Sequence, residues 1–202
     1  MAAQLTLIKY QIMSKFQIPF SGKVDPLVQS VSTVQPIDTS ASIADNIAIW
    51  QAYTKQGNQF MKFALAQPPN PQVEQAQSFY DRAIDLAKDM WHQAQAQNCH
   101  PETIHFYAIS CHNLADYYEA INRDRHAEDL LLDAFDRTLS TMQNPHLAAD
   151  FQMEAYRSLH MVLQQLVDFY DRHRKPNAAT KIVLQAGHEA RKFLNSLNLP
   201  PD

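Results

Sequence analysis

The sequence predicts an all-α protein made of antiparallel helix pairs that repeat along the chain and stack on one another. Glycine, which has the largest helix penalty of any residue except proline, occurs only three times in 202 residues. From residue 43 onward the apolar residues recur at helical spacing, and a set of large and small apolar positions returns at a fixed offset. Together these observations indicate a helical repeat protein.

The composition and charge exclude several functional classes. A net charge of −4 gives no strongly basic footprint for nucleic acid, although it leaves a local basic patch open. Three scattered glycines cannot form a loop that cradles a phosphate. Two cysteines do not make a disulfide framework. The N-terminus lacks the order of a signal peptide, and no apolar run reaches the length of a membrane span. We therefore expect a cytoplasmic protein that needs no cofactor and binds no membrane.

Two regions of the chain differ in composition. Residues 1–42 are rich in proline, serine and β-branched residues and predict an irregular or partly disordered arm, whereas residues 43–199 predict the helical domain. We place Pro101, Pro145 and Pro176 in first turns of helices, where a missing N–H is tolerated, and Asn144 as an N-cap. The predicted helices are 43–67, 72–97, 101–122, 124–143, 145–174 and 176–198.

The repeat is visible in the spacing of large and small apolar residues. In the second unit a large residue is followed by an aromatic residue and then by two small ones, at Leu114, Tyr118, Ala127 and Ala134. The same pattern returns 52 residues later at Leu166, Tyr170, Ala179 and Ala186. A weaker first unit, 51 residues earlier, has Phe63, Ala76 and Ala83. Small residues at these points allow two antiparallel helices to approach closely.

This spacing resembles that of the tetratricopeptide repeat (TPR) family. The segments NLADYY…RHAEDLLLDAF and QLVDFY…NAATKIVLQA carry the resemblance, with a period longer than the roughly 34 residues usual in the family. The resemblance implies three helix pairs in a right-handed superhelical stack. It also implies a non-enzymatic scaffold that holds a peptide or helix of another protein in its concave groove.

The resemblance also assigns the residues of that concave face, because the first helix of each pair lines it. They are Met61, Leu65, His112, Asn113, Asp116, Glu119, Gln164, Asp168 and Asp171. Asp116 and Asp168 occupy the same place in successive units, so the groove is expected to be acidic toward its C-terminal half. An acidic groove prefers a basic partner segment. The alternative is that these carboxylates form an ordinary solvated surface.

A second group of charged residues lies at the turns that follow the first helices of the second and third units. These basic residues are Arg123, Arg125, Arg172, Arg174 and Lys175. Both turns fall on one edge of the stack, which predicts an edge that binds an acidic partner, with RNA the less favoured ligand. The alternative is that the cations simply stabilise the C-terminal ends of their helices through the helix dipole.

Two other functions are open on the sequence. His105, His112 and Asp116 fall on one helical stripe near Cys111, and imidazole and carboxylate groups are ligands of zinc and other divalent metals. The chain is therefore alternatively a metal-binding or metal-sensing protein. Apolar residues within 14–40 also raise the alternative of a self-associating module, in which this arm lies in the groove of its own chain or of a second copy.

Overall fold

The structure, a computed structural model, describes residues 42–66 and 72–197, with side chains described for 42–62 and 74–197. These residues form six α-helices, and the described part of the chain contains no strand. The helices are α1 Ile43–Ala66, α2 Gln72–Gln97, α3 Thr103–Ala120, α4 Asp124–Gln143, α5 Ala149–Arg172 and α6 Pro176–Leu197. The all-α prediction is confirmed. The predicted arm lies outside the described residues except for Ser42.

Each helix packs on the next one, and α1 also contacts α3, α3 contacts α5 and α4 contacts α6. In α3, Tyr118 contacts His126 early in α4 with ring centroids 5.1 Å apart, whereas Tyr107 lies 5.0 Å from the guanidinium of Arg137 late in α4. Neighbouring helices are therefore antiparallel. Alternate helices run parallel, because the start of α3 contacts the first half of α5 and the end of α3 contacts the end of α5. The described helices thus pack in succession as a stack.

The turns after α3 and α5 have the same backbone geometry, 52 residues apart. Asn122 and Arg174 both have positive φ, at 59° and 55°. The next N–H in each case bonds the carbonyl five residues back, from Arg123 to Tyr118 and from Lys175 to Tyr170, both at 2.8 Å. This is the Schellman arrangement, which satisfies carbonyls that the helix end leaves without partners. The sequence repeat is thus matched by a repeat in backbone geometry.

The small and large residues that define the repeat occupy the core. The buried members in the second and third units are Leu114, Ala127, Ala134, Leu166, Tyr170, Ala179 and Ala186, and Tyr118 is half-buried. Ala76 and Ala83 of the first unit are also buried. The side chain of Phe63 lies outside the described part of the chain. Buried alanines at these helix crossings leave room for close approach of the antiparallel partners.

Two of the three proline positions differ from the prediction. Pro176 is the first residue of α6 as expected, but α3 begins only at Thr103 and α5 only at Ala149, so Pro101 and Pro145 precede their helices. The assignment of Asn144 as an N-cap is wrong, because Asn144 is the C-cap of α4 in an extended conformation with φ −77° and ψ 106°. The ring of the following proline disfavours helical geometry at this residue and so ends α4.

A close approach of α1 and α2 depends on one glycine. A Cβ atom on Gly57 would lie 2.5 Å from a ring carbon of Tyr80. That ring cannot move aside easily, because Tyr80 is buried and its hydroxyl donates to Asn58 Oδ1 at 2.8 Å. Around Gly187 in α6, in contrast, an added Cβ would meet nothing within 4 Å.

The same substitution at these two glycines is therefore expected to act in opposite directions. We expect Gly57→Ala to lower the free energy of unfolding by about 1 kcal/mol, because overpacking exceeds the gain in helix propensity. Gly187→Ala should raise it by about 0.5–1 kcal/mol through propensity alone. Urea unfolding followed by circular dichroism measures both. A shift of the same sign in both variants would contradict the packing of Gly57 on Tyr80.

No helix among the described residues combines the length and the apolarity that crossing a membrane requires.

Candidate functional site

The predicted concave-face residues of the second and third units lie on the parallel helices α3 and α5. His112, Asn113, Asp116 and Glu119 on α3 and Asp168 on α5 are half-buried, whereas Gln164 and Asp171 are exposed. Met61 is half-buried on α1. The side chain of Leu65 lies outside the described part of the chain. The predicted residues of the second and third units therefore lie on two helices, α3 and α5, that contact each other.

Glu119 and Arg172, predicted for different surfaces, form an ion pair between the ends of α3 and α5. Arg172 donates from Nε and Nη2 to the two carboxylate oxygens of Glu119, at 3.0 and 2.6 Å. The ring Nε2 of His173 lies 3.1 Å from Glu119 Oε1, and its Nδ1 lies 3.5 Å from Asp124 Oδ2. Arg172 thus belongs to the acidic surface of α3 and α5 as well as to the basic turn.

The pKa values of this pair show which charges surround it. Burial raises the pKa of Glu119, but hydrogen bonds from Arg172 and His173 outweigh burial and leave that pKa below its usual value. The hydrogen bond to Glu119 raises the pKa of the Arg172 guanidinium, and the negative charges of Asp116 and Asp168 raise it further. We call Asp116, Glu119, Asp168 and Arg172 the acidic cluster. It holds three carboxylates against one guanidinium.

The remaining residues of the basic edge divide into two groups. Lys175 is engaged within the fold, because its Nζ donates to Glu128 Oε2 at 2.6 Å and lies 5.7 Å from the centre of the Phe169 ring. Arg123, Arg125 and Arg174 are exposed at the two equivalent turns. All five predicted cations are therefore exposed on this edge, and two of them, Arg172 and Lys175, form ion pairs within the fold.

The predicted metal-binding stripe is not assembled as a ligand set. The ring of His105 contacts Glu154 through Nε2 and the hydroxyl of Ser158 through Nδ1, the latter at 3.0 Å. Across residues 42–66 and 72–197, no group of three or more His, Cys, Asp and Glu side chains is placed to hold a metal ion. His105 instead joins α3 to α5 near the start of both helices, with His112 and Asp116 further along α3.

Cys111 lies beside this stripe in the core of the stack. It is buried, and burial raises the pKa of its thiol to about 12. Only the thiolate is a nucleophile or a metal ligand. Cys111 is therefore a packing residue at neutral pH.

Sequence reasoning missed an open groove between α3 and α4. It has a volume of about 280 Å³ and is lined by Leu114, Tyr118, His126, Asp129, Leu130 and Asp133. Its floor is mainly apolar, and Asp129 and Asp133 contribute carboxylates. The only sequence signal was the spacing of these two acids, four residues apart and so on one face of α4. Asp133 is engaged within the fold by Tyr107 and Arg137.

A family model described as "Protein of unknown function (DUF2753)" matches residues 48–193, a range that includes part of every described helix. Comparisons with curated proteins and with solved structures gave no match.

Proposed function

The chain belongs to the DUF2753 family, and we propose that it is a non-enzymatic scaffold that binds a basic peptide or helix of another protein on the face formed by α3 and α5. The acidic cluster carries this proposal. Its three carboxylates outnumber its one guanidinium, so these four side chains together carry a net negative charge that would complement a basic segment.

The structure of the face also supports binding with little ordering cost. Glu119 and Arg172 join α3 to α5 at one end, and His105 joins them to Glu154 and Ser158 at the other. Two helices fixed at both ends form a surface that is present before a ligand arrives, which reduces the entropy lost on binding. Gln164 donates to Asp168 Oδ1 at 2.8 Å and helps to hold that carboxylate in place.

The likeness to tetratricopeptide repeats is part of this proposal. Parallel alternate helices and turns that repeat 52 residues apart support it, and they favour α1, α3 and α5 as the helices that line one side of the stack. The two cysteines are free thiols, which supports a reducing setting such as the cytoplasm. The metal-binding alternative has no comparable support, since His105 is engaged by Glu154 and Ser158.

The test is an affinity capture from the native host's lysate with the full chain as bait. The Asp116→Lys/Asp168→Lys variant is run beside the wild type, and captured proteins are identified by mass spectrometry. We expect a partner with a basic segment that the wild type enriches and the variant loses. The affinity of a peptide from that segment should then fall at least tenfold in the variant, because two attractions become repulsions.

A matched control has the same change of charge on another helix. Asp85 and Asp89 are exposed on α2, so Asp85→Lys/Asp89→Lys alters the net charge equally without touching α3 or α5. The control should bind the peptide as the wild type does. Equal binding by all three proteins would refute the acidic cluster as the binding site. An equal loss of affinity in both variants would show that the effect comes from the net charge of the protein alone.

A further inference from the structure

The large apolar side chains exposed in the described part of the chain lie only on its first and last helices. Ile49 on α1 is 41% exposed, and Leu184 on α6 is 67% exposed. Val183, Leu194 and Leu197 on α6 are also exposed. We call these four residues of α6 the α6 stripe. Among the described residues, the most exposed large apolar side chains are therefore confined to the two ends of the stack.

The internal repeat shows that three of the four positions of the α6 stripe are less exposed one unit earlier. The counterparts of Val183, Leu184 and Leu194, 52 residues earlier on α4, are Leu131, Leu132 and Met142. On α4, Leu131 is 4% exposed, Met142 is 1% exposed and Leu132 is half-buried. The following helix α5 packs on α4, whereas no described helix follows α6. The α6 stripe is thus the face on which a further helix would stack.

The first helix offers a surface for the same kind of contact. The counterpart of Ile49 in the third unit is Gln152 of α5, reached by adding the two repeat offsets of 51 and 52 residues. The side-chain amide of Gln152 donates to the Asn144 carbonyl at the end of α4, at 2.6 Å. Ile49 therefore lies on the side of α1 that corresponds, in α5, to the side packed against the end of α4. On α6 that end carries Leu194 and Leu197. The two exposed apolar regions occupy complementary places in the repeat.

Charge favours contact between α1 and α6 over contact between two α6 helices. The exposed surface of α6 carries Lys181, Arg191 and Lys192, and its Glu189 accepts a hydrogen bond from Gln143. Two such surfaces repel each other. The exposed acid closest in sequence to Ile49, one helical turn earlier, is Asp45. The acidic Asp45 near Ile49 is therefore complementary in charge to the basic residues on the exposed surface of α6.

We propose that copies of this chain associate end to end, with α1 of one copy packing on the α6 stripe of the next as α5 packs on α4. Such a head-to-tail interface joins two different surfaces, so a pair of copies still has one unused α1 surface and one unused α6 stripe with which it can add further copies. The expected product is a series of chains that lengthen as the protein concentration rises. The interface lies away from the acidic cluster and does not depend on it.

Sedimentation velocity of the full chain over a wide concentration series tests this directly. The weight-average mass of the wild type should rise with concentration past that of a dimer. Leu184→Lys and Ile49→Lys should each sediment as monomers alone. An equimolar mixture of these two variants should form a dimer that does not grow further, because each variant keeps the end that the other has lost. Circular dichroism confirms that both variants are folded.

Control variants place a lysine at exposed positions off the two apolar surfaces. Gln185→Lys on α6 and Gln51→Lys on α1 should associate as the wild type does. Three results would overturn the proposal. The wild type could sediment as a monomer throughout, or the mixture of the two variants could fail to form a dimer. A wild-type dimer abolished by Leu184→Lys and unaffected by Ile49→Lys would replace end-to-end stacking with pairing of two α6 helices.

Discussion

Replacing Phe135 with alanine is expected to lower the free energy of unfolding by about 3–5 kcal/mol, the cost typical of removing a fully buried aromatic ring. Phe135 lies on α4 with no exposed surface. The substitution loses the transfer free energy of the ring and leaves a cavity that the surrounding helices fill only in part. Urea unfolding followed by circular dichroism, at a protein concentration low enough to keep the chain monomeric, measures the change.

The control for this prediction is Leu184→Ala, which also shortens a large apolar side chain but at an exposed position. Its effect should stay within about 0.5 kcal/mol, as for surface substitutions in general. The position that corresponds to Phe135 in α6 is Gly187, which faces open space. A loss below about 1 kcal/mol for Phe135→Ala would mean that the packing around α4 is not as described.

The helical repeat could be predicted because its signal lies in side-chain size at fixed spacing. Ala127 and Ala134, with their counterparts 52 residues on, are buried where the spacing places them. Helix ends were harder, since a proline fits both the first turn of a helix and the segment before it. The Asn144–Pro145 pair ended α4 and began no helix.

The sequence predicted which residues belong to the candidate site, but it did not predict which of them contact each other. The resemblance assigned Glu119 to an acidic groove on a first helix, whereas Arg172 was assigned to a basic edge at the turn that follows a first helix. Their ion pair joins residues 53 apart in sequence, and it depends on how α3 and α5 are aligned along their axes. Apolar periodicity defines which face of a helix is buried, but it does not define this alignment. The pairing of His105 with Glu154 was missed for the same reason.

Replacing Glu119 with glutamine is expected to lower the free energy of unfolding at neutral pH by about 1–2 kcal/mol. The substitution keeps the shape of the side chain but removes the charge that accepts two hydrogen bonds from Arg172 and contacts His173. Charged hydrogen bonds contribute more than neutral ones. Arg172 is half-exposed, so solvent screens its charge and reduces the expected loss of stability. Chemical unfolding of both proteins at pH 7.5 gives this difference.

The difference between wild type and Glu119→Gln should shrink in acid. The folded-state pKa of Glu119 lies below its usual value of 4.5, so the ionised carboxylate contributes stability above that value. This contribution is lost as the pH falls through the lowered folded-state pKa, where the carboxyl becomes protonated and resembles the amide. The variant has no proton to gain at this position. Repeating the unfolding measurements from pH 7.5 down to pH 3 follows the loss.

A matched control separates this network from ordinary surface ion pairs. Glu128 accepts one hydrogen bond from the exposed Lys175, so Glu128→Gln should cost less than about 1 kcal/mol. A Glu119→Gln difference that is equally small, or that does not change with pH, would show that Arg172 is not held by this carboxylate. Arg172 would then be available to pair with Asp116 or Asp168, and the excess negative charge of the acidic cluster would lie at Glu119 instead. The stability of this ion pair therefore also tests which carboxylates of the acidic cluster are left to meet a basic partner.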